Sequence, residues 1–283
     1  MQLAMTTPEG MASPIPATPA DSARPGGNLT FCLPRSQRAL PHYIYEPTAL
    51  RRDRLPLVTV HGISRNAREH ALTFAGLAER SGRLVVAPFF GRSQCPRYQK
   101  VIVDDCRADH ALMATLEEVT GQSGVATERI DLFGFSGGAQ FAHRFALLHP
   151  DRVQRLALAS AGWYSFPTLE EPFPYGFSAE SDEGLHIVAG FDGFLQIPTL
   201  VLVGEQDVER DTGLRKGKRI DSLQGFTRIE RAARWVQAIR SEARKREIRA
   251  SIELQLLEGC GHSFVDCVAR ASLPQRVVRW FDA

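Results

Sequence analysis

A serine flanked by glycines, directly after an apolar run, constrains the fold of this chain more than any other sequence feature. The apolar run at residues 130–135 leads into Ser136, and a helical pattern begins directly after Gly138. A serine on a sharp strand-to-helix turn needs neighbours without side chains, and Gly134 and Gly138 supply that room. The pattern therefore predicts a nucleophile elbow, in which the hydroxyl is exposed and backbone N–H groups point at the same small volume.

Three further polar residues follow apolar runs in a similar way. His61 ends one run, Asp207 follows a second run that closes at Gly204, and His262 comes shortly after a third. Because open parallel sheets place their ligands at the carboxyl ends of their strands, we expect these side chains to share one sheet edge with Ser136. Along the chain the serine comes first, then the aspartate, then the second histidine.

On these motifs the chain resembles the α/β-hydrolase superfamily, in which a triad follows this order, and within it esterases and polyhydroxyalkanoate depolymerase-like enzymes. The resemblance runs from about Thr30 to the C-terminus. It implies an α/β-hydrolase fold: a mostly parallel eight-stranded sheet, helices on both faces and an aromatic-rich insertion after the sixth strand. It fixes the fold better than the substrate, because this fold carries many different reactions.

Alternating strand-like and helix-like runs support the same fold, since βα units favour right-handed crossovers and one parallel sheet. The predicted strands are 29–33, 42–46, 57–61, 84–89, 130–135, 153–160, 199–203 and 252–257. Apolar spacing predicts helices at 67–80, 104–119, 229–246 and 274–281, and another after the elbow that closes at Pro150.

The chemistry of the motifs assigns a role to each triad residue. A serine hydroxyl becomes a nucleophile when a base takes its proton, and His262 is the candidate base for Ser136. The base needs an acid that fixes its tautomer, and Asp207 has the expected position, with Glu205 and Asp211 as rivals.

An oxyanion hole is the second requirement of this chemistry, because negative charge develops on the substrate oxygen. The N–H of Gly137 is the first predicted donor. By resemblance the second comes from the loop after the third strand, which reads His-Gly-Ile-Ser; we assign the N–H of Ile63, with Ser64 as the alternative. We expect His61 to shape this loop by hydrogen bonding rather than to act as a base.

The segment 162–197 shows no clear period and is too long for an ordinary connection. By resemblance it forms a lid or pocket wall, with Trp163, Tyr164 and Phe166 as substrate-binding residues in an apolar pocket. The alternative is that its rings pack on each other to hold down a long loop. Its aromatic residues are Trp163, Tyr164, Phe166, Phe173, Tyr175, Phe177, Phe191 and Phe194.

Composition and charge narrow the location and the partners. Residues 1–28 are rich in proline and lack the apolar core of a secretory signal, so we expect a flexible tail, one domain at 29–283 and a cytoplasmic location. A net charge of +2 argues against a nucleic-acid partner, and no run is long enough to span a membrane. Residues 210–249 hold 13 Lys and Arg against 5 Asp and Glu, which fits either a steering face or a solvated helix.

No cofactor or metal is expected. Gly134–Gly138 lacks the second half of a dinucleotide fingerprint, and no metal-ligand spacing surrounds the histidines. His70, His110, His143, His149 and His186 are expected to be surface or helix residues. The five cysteines favour free thiols, with Cys260–Cys267 and Cys95–Cys106 as alternative bridges.

The sequence therefore predicts a cofactor-independent serine hydrolase that cleaves small-molecule or oligomeric carboxylic esters through an acyl-enzyme. One alternative is acyl transfer or thioester cleavage on the same fold. The other is a receptor that binds a ligand in the aromatic pocket without catalysis. The oligomeric state is not encoded in any motif.

Overall fold

Eight strands form one mostly parallel sheet. A computed structural model of the chain describes residues 26–104, 106–178 and 180–283. The strands are β1 (Asn28–Cys32), β2 (His42–Glu46), β3 (Leu57–Val60), β4 (Val85–Pro88), β5 (Ile130–Phe135), β6 (Val153–Ala159), β7 (Thr199–Gly204) and β8 (Ile252–Leu257). Their spatial order is β1-β2-β4-β3-β5-β6-β7-β8, in which β2 runs antiparallel to its neighbours β1 and β4 and strands β3 to β8 run parallel to one another.

The connections between the strands are mainly helical, as the alternating pattern predicts. The helices are α1 (Ala67–Ser81), α2 (Ala108–Ser123), α3 (Gly137–Leu148), α4 (Asp182–Leu195), α5 (Lys218–Gln224), α6 (Arg228–Lys245), α7 (Phe264–Ala271) and α8 (Leu273–Asp282). A short hairpin pairs Ile102–Val103 with Cys106–Arg107, so α2 begins four residues later than predicted.

Helix α4 lies inside the segment for which the sequence showed no period. The hydroxyl of Ser181 caps it by accepting a hydrogen bond from the N–H of Gly184 at 3.0 Å. Gly190 and Gly193 lower its intrinsic helix propensity, and both lie close to the ring of Pro150, where small side chains permit packing. Tertiary packing therefore supplies the stability that the local sequence lacks.

Helices cover both faces of the sheet, which confirms the predicted α/β-hydrolase architecture. On one face, α2, α3, α4 and α6 bury a core that includes Phe141 and Trp235. On the other face, α1, α7 and α8 bury a second core that includes Phe74 and Phe281. The ligand-bearing edge lies between these two cores, at the carboxyl ends of β3, β5, β7 and β8.

Several sequence expectations lie outside the sheet. The expected tail, 1–28, falls almost wholly outside the described residues, and β1 begins at Asn28. His70 and His143 are helix residues, and both side chains are fully buried. All five cysteines are unbridged.

Two searches of the structure bear on membranes and metals. None of the helices in the described ranges combines the length and the apolar character of a membrane span. In the same ranges, no three His, Cys, Asp or Glu side chains are grouped so as to hold a metal ion.

Candidate active site

Ser136 lies on a strained turn between β5 and α3. Its φ of 53° and ψ of −113° lie in a region that residues with a side chain seldom adopt, at a cost of about 1–3 kcal/mol. The two flanking glycines are required by close packing: a Cβ on Gly134 would lie 2.2 Å from the carbonyl oxygen of Gly138, and one on Gly138 would lie 2.0 Å from that of Val60. The backbone of β3, β5 and α3 thus meets too tightly for any side chain.

Three side chains from distant parts of the sequence form one chain of hydrogen bonds. The Oγ of Ser136 lies 2.9 Å from Nε2 of His262, and Nδ1 of the same ring lies 2.8 Å from Oδ2 of Asp207. Asp207 is 1% exposed, whereas the His262 side chain remains 24% exposed. This geometry lets the ring accept a proton from the serine while the buried carboxylate holds its other nitrogen.

The two rival acids have other partners. Asp211 accepts hydrogen bonds from the N–H groups of Gly213 and Leu214, at 2.7 and 2.8 Å, and so shapes its own loop. Glu205 accepts one from the N–H of Gly259 at 3.1 Å. Of the three acids, Asp207 is the one that contacts His262.

A buried arginine that the sequence analysis missed neutralises the candidate acid. Arg228, at the start of α6, is 2% exposed and donates to Oδ1 of Asp207 at 3.0 Å. Its other terminal nitrogen lies 2.8 Å from Asp211, so one guanidinium bridges both carboxylates. The strand-end rule could not find it, because Arg228 starts a helix within the basic segment 210–249 and lacks a motif of its own.

The loop after β3 is held by a buried histidine, as expected. Nε2 of His61 accepts from the N–H of Phe90 at 3.1 Å, so Nδ1 carries the proton and donates to the carbonyl oxygen of Gly62 at 2.7 Å. Burial lowers the pKa of His61 to about 4, which keeps the ring neutral. The hydroxyl of Tyr98 donates to the carbonyl oxygen of His61 at 2.6 Å and fixes the loop from the other side.

This arrangement aims the next peptide toward the elbow. The Gly62–Ile63 peptide is trans, so the N–H of Ile63 points away from the carbonyl held by His61. The nitrogen of Ile63 lies 3.4 Å from where a Cβ on Gly137 would stand. Gly137 opens α3, so its own N–H has no partner within the helix. Both predicted donors therefore lie beside Ser136.

A cavity of about 630 Å³ opens above Ser136 and His262. Its wall is more polar than the predicted apolar pocket, because the loop 211–215 and the residues around Lys100 contribute to it. Of the three aromatic residues assigned to substrate binding, Trp163 lines the cavity and Tyr164 and Phe166 do not.

Tyr164 and Phe166 are core residues instead. Tyr164 is fully buried and stacks on Trp235 at 4.8 Å between ring centres, and Phe166 is 6% exposed in the same core. Within 162–197, Gly162 and Trp163 reach the cavity, and α4 packs on α3. The segment thus differs from the lid that the sequence suggested: its rings pack mainly on each other and on the neighbouring helices.

Comparisons with known proteins agree with this fold. No protein-family model matches the sequence, and no curated protein matches it either. Among solved structures, a poly(3-hydroxybutyrate) depolymerase, LpqC, from Bordetella parapertussis is 26% identical with a TM-score of 0.74, covering 91% of this chain and 90% of its own.

Two further structures are similar in fold. Poly(aspartic acid) hydrolase-1 from Sphingomonas sp. KT-1 is 24% identical with a TM-score of 0.76 and covers 90% of this chain and 99% of its own. An S-formylglutathione hydrolase from Agrobacterium tumefaciens is 17% identical with a TM-score of 0.56 and covers 92% and 96%. With the sheet order and the elbow, these likenesses identify the chain as an α/β-hydrolase. Its structural neighbours are esterase-like enzymes and depolymerases, so the chain belongs with the hydrolases of this fold.

Proposed function

We propose that this protein is a serine hydrolase that cleaves carboxylic esters through an acyl-enzyme intermediate. The observation that carries the proposal is the continuous chain of hydrogen bonds from Ser136 through His262 to Asp207. The relatedness in fold to a poly(3-hydroxybutyrate) depolymerase supports an ester as the substrate. A cavity of about 630 Å³ has room for a small ester or for a short segment of an oligomeric one.

In the first half-reaction, Oγ of Ser136 attacks the ester carbonyl carbon while Nε2 of His262 takes the hydroxyl proton. The carbonyl electron pair moves to oxygen, and the N–H groups of Gly137 and Ile63 stabilise that oxyanion. When the carbon–oxygen bond breaks, the imidazolium returns the proton to the leaving alcohol. Water then repeats the same steps on the acyl-serine, releasing the acid and restoring Ser136.

The positive charge that forms on His262 is balanced by Asp207. Since Arg228 shares the same carboxylate, Asp207 is held in place and kept ionised without direct contact between the arginine and the substrate. Arg228 is therefore a positioning residue, and Ser136 and His262 are the groups that touch the reacting atoms.

The decisive test is Ser136→Ala, assayed with phenyl acetate. We expect kcat to fall by about 10⁴-fold or more, because the variant loses the nucleophile and keeps the pocket. A fluorophosphonate should label Ser136 in the wild-type protein and leave the variant unlabelled. Ser64→Ala, at the cavity rim, is a matched serine control and should keep both properties. Full ester turnover by a folded Ser136→Ala protein would disprove the proposal.

A further inference from the structure

One wall of the cavity carries positive charges that lack carboxylate partners. Lys100 and Arg215 line the same cavity as Ser136. The nearby acids are already engaged: Asp104 pairs with Arg97 at 2.8 Å, and Asp211 pairs with Arg228 at 2.8 Å. In the described part of the chain, neither Lys100 nor Arg215 forms an ion pair. We call Lys100, Arg144, Trp163 and Arg215 the cation wall.

Arg144 is the third cation of this wall, and it is fully buried. Its guanidinium carbon lies 3.9 Å from the ring centre of Trp163, and Nη1 donates to the carbonyl oxygens of Gln99 and Gln140. Nη2 is buried and has no hydrogen-bond partner. Both glutamines line the cavity, so the buried charge lies directly behind its surface.

The charges of the cation wall act on one another. Burial lowers the pKa of Arg144 to about 9. Burial is also the main cause that lowers the pKa of Lys100, followed by the positive charges of Arg215, Arg97 and Arg144. Like charges held together without counter-charges are unfavourable, so this wall costs stability unless an anion binds there.

The cation wall is built firmly into the fold. Arg231, itself fully buried, donates to the backbone carbonyl of Arg215 at 2.9 Å and to that of Gly162 at 2.7 Å. The guanidinium of Arg215 lies 5.8 Å from the ring of Trp163. This Trp163 ring also stacks on Tyr175 at 4.8 Å. Positions fixed in this way suit a specific ligand group better than a diffuse surface charge does.

We propose that the ester cleaved at Ser136 carries a carboxylate, which binds to Lys100 and Arg215 at the cation wall. This inference rests on the proposed function and narrows its substrate class to anionic esters. A carboxylate matches the fork of an arginine and accepts a charge-assisted hydrogen bond from a lysine. Binding energy at this remote group would orient the ester carbonyl over Ser136.

The carboxylate could belong to the acid portion or to the alcohol portion of the ester, and two pairs of compounds distinguish these sources. Monophenyl adipate carries it on the acyl side, and phenyl adipamate is its neutral amide. 4-Acetoxybenzoate carries it on the leaving group, and 4-acetoxybenzamide is its neutral amide. Each pair has nearly the same shape, so any difference within a pair reports the charge.

Binding is measured by calorimetry with Ser136→Ala, which does not consume the ligand. We expect the carboxylate of at least one pair to bind about tenfold or more tightly than its amide, the ratio for one charge-assisted hydrogen bond, and less so at high ionic strength. Lys100→Met with Arg215→Met in the same background should abolish the preference. Arg244→Met removes an exposed charge outside the cavity and should leave the preference intact.

Equal affinities within both pairs, no binding by any of the four compounds, or a preference that survives the double substitution would overturn the inference. If the double variant does not fold, Lys100→Gln and Arg215→Gln are tested singly. Turnover by the wild-type protein separates this result from the proposed function. Cleavage of the neutral amides without any carboxylate preference would overturn only the anionic substrate, whereas selective carboxylate binding without cleavage or fluorophosphonate labelling would overturn only the esterase.

Discussion

The nucleophile side and the acid side of the active site are held together by different forces. The nucleophile side comprises β3, the loop at 61–64, β5 and α3, and its backbone atoms pack too closely for side chains at Gly134 and Gly138. The acid side comprises residues 204–231, and buried arginines hold it by pairing with carboxylates and carbonyl groups.

This difference teaches how each side tolerates change. Steric packing acts over tenths of an ångström, so one methyl group on the nucleophile side forces the backbone to move. Buried charge pairs depend on both partners, so loss of one arginine on the acid side leaves its carboxylates uncompensated. Substitutions of these two kinds should therefore fail for different reasons, and the experiments below separate them.

Gly138→Ala should have the largest effect, because its Cβ would lie 2.0 Å from the carbonyl oxygen of Val60. We expect a loss of more than about 4 kcal/mol in the free energy of unfolding, measured by urea denaturation. Gly121→Ala in α2 is the matched control: nothing lies within 4 Å of its Cβ, and it should stabilise by about 0.5–1 kcal/mol. A Gly138→Ala protein of wild-type stability would contradict the steric account.

Arg228→Met should have the next largest effect. It leaves the carboxylate of Asp207 buried beside His262 without its positive partner, at a cost of about 3 kcal/mol in unfolding free energy. We also expect kcat to fall while KM changes little, since Arg228 touches no substrate atom. Arg228→Lys should restore part of kcat if positive charge is what Asp207 requires.

The control for this prediction is Arg234→Met on the same helix. Arg234 is exposed and donates only to the carbonyl oxygen of Ser222, so its loss should change stability by less than about 0.5 kcal/mol. Equal effects of the two substitutions would show that the buried ion pairs do not hold the acid side.

Acidification should give the smallest effect per group, and it should act on the nucleophile side. Burial lowers the pKa of His61 to about 4 and those of His70 and His143 well below 6.5. Below pH 6.5 the unfolded chain therefore binds protons at these rings that the folded chain does not. The unfolding free energy should fall as the pH falls, by up to about 1.4 kcal/mol per pH unit for each ring.

Urea denaturation between about pH 7.5 and about pH 5 measures this slope, within the range in which a histidine in the unfolded chain gains its proton. His143→Gln should reduce the slope by the share of one ring. His110→Gln removes a histidine whose side chain is 57% exposed and should leave the slope unchanged. A His143→Gln slope equal to that of the wild type would show that this ring does not resist protonation.

Much of the nucleophile side could be predicted from the sequence, because its rules are local. The elbow depends on the five residues from Gly134 to Gly138, and the strand before it is a continuous apolar run. The fold followed from the alternation of such runs with helical patterns. Asp207 and His262 were found because they follow strand ends, where a parallel sheet gathers its functional groups.

The acid side and the cavity wall could not be predicted in the same way. In the sequence, Arg228 and Arg231 are two of many basic residues in 210–249, and the segment was expected to be either a steering face or a solvated helix. The structure buries both arginines, because Asp207, Asp211 and Asp221 lie within reach of them. Lys100 and Arg215 meet in one cavity although they come from separate connections.

The aromatic segment shows the same limit. Its composition predicted a pocket or a packed loop with equal ease, because ring count does not say which way a ring faces. Trp163 lies in the cavity wall, whereas Tyr164, the next residue, points into the core and stacks on Trp235. Neighbouring residues on an extended backbone face opposite sides, so one residue of register separates a wall residue from a core residue.

The sequence by itself determined the order of strands and helices, the sharp turn at Ser136 and the identity of the residues at the strand ends. Each of these depends on spacing and local sterics, which are written in neighbouring residues. The tertiary structure alone decided which arginines are buried with which carboxylates, which aromatic ring faces the cavity and where positive charge accumulates. Those features depend on contacts between residues far apart in the chain, and such contacts exist only once the sheet has brought the connecting loops together.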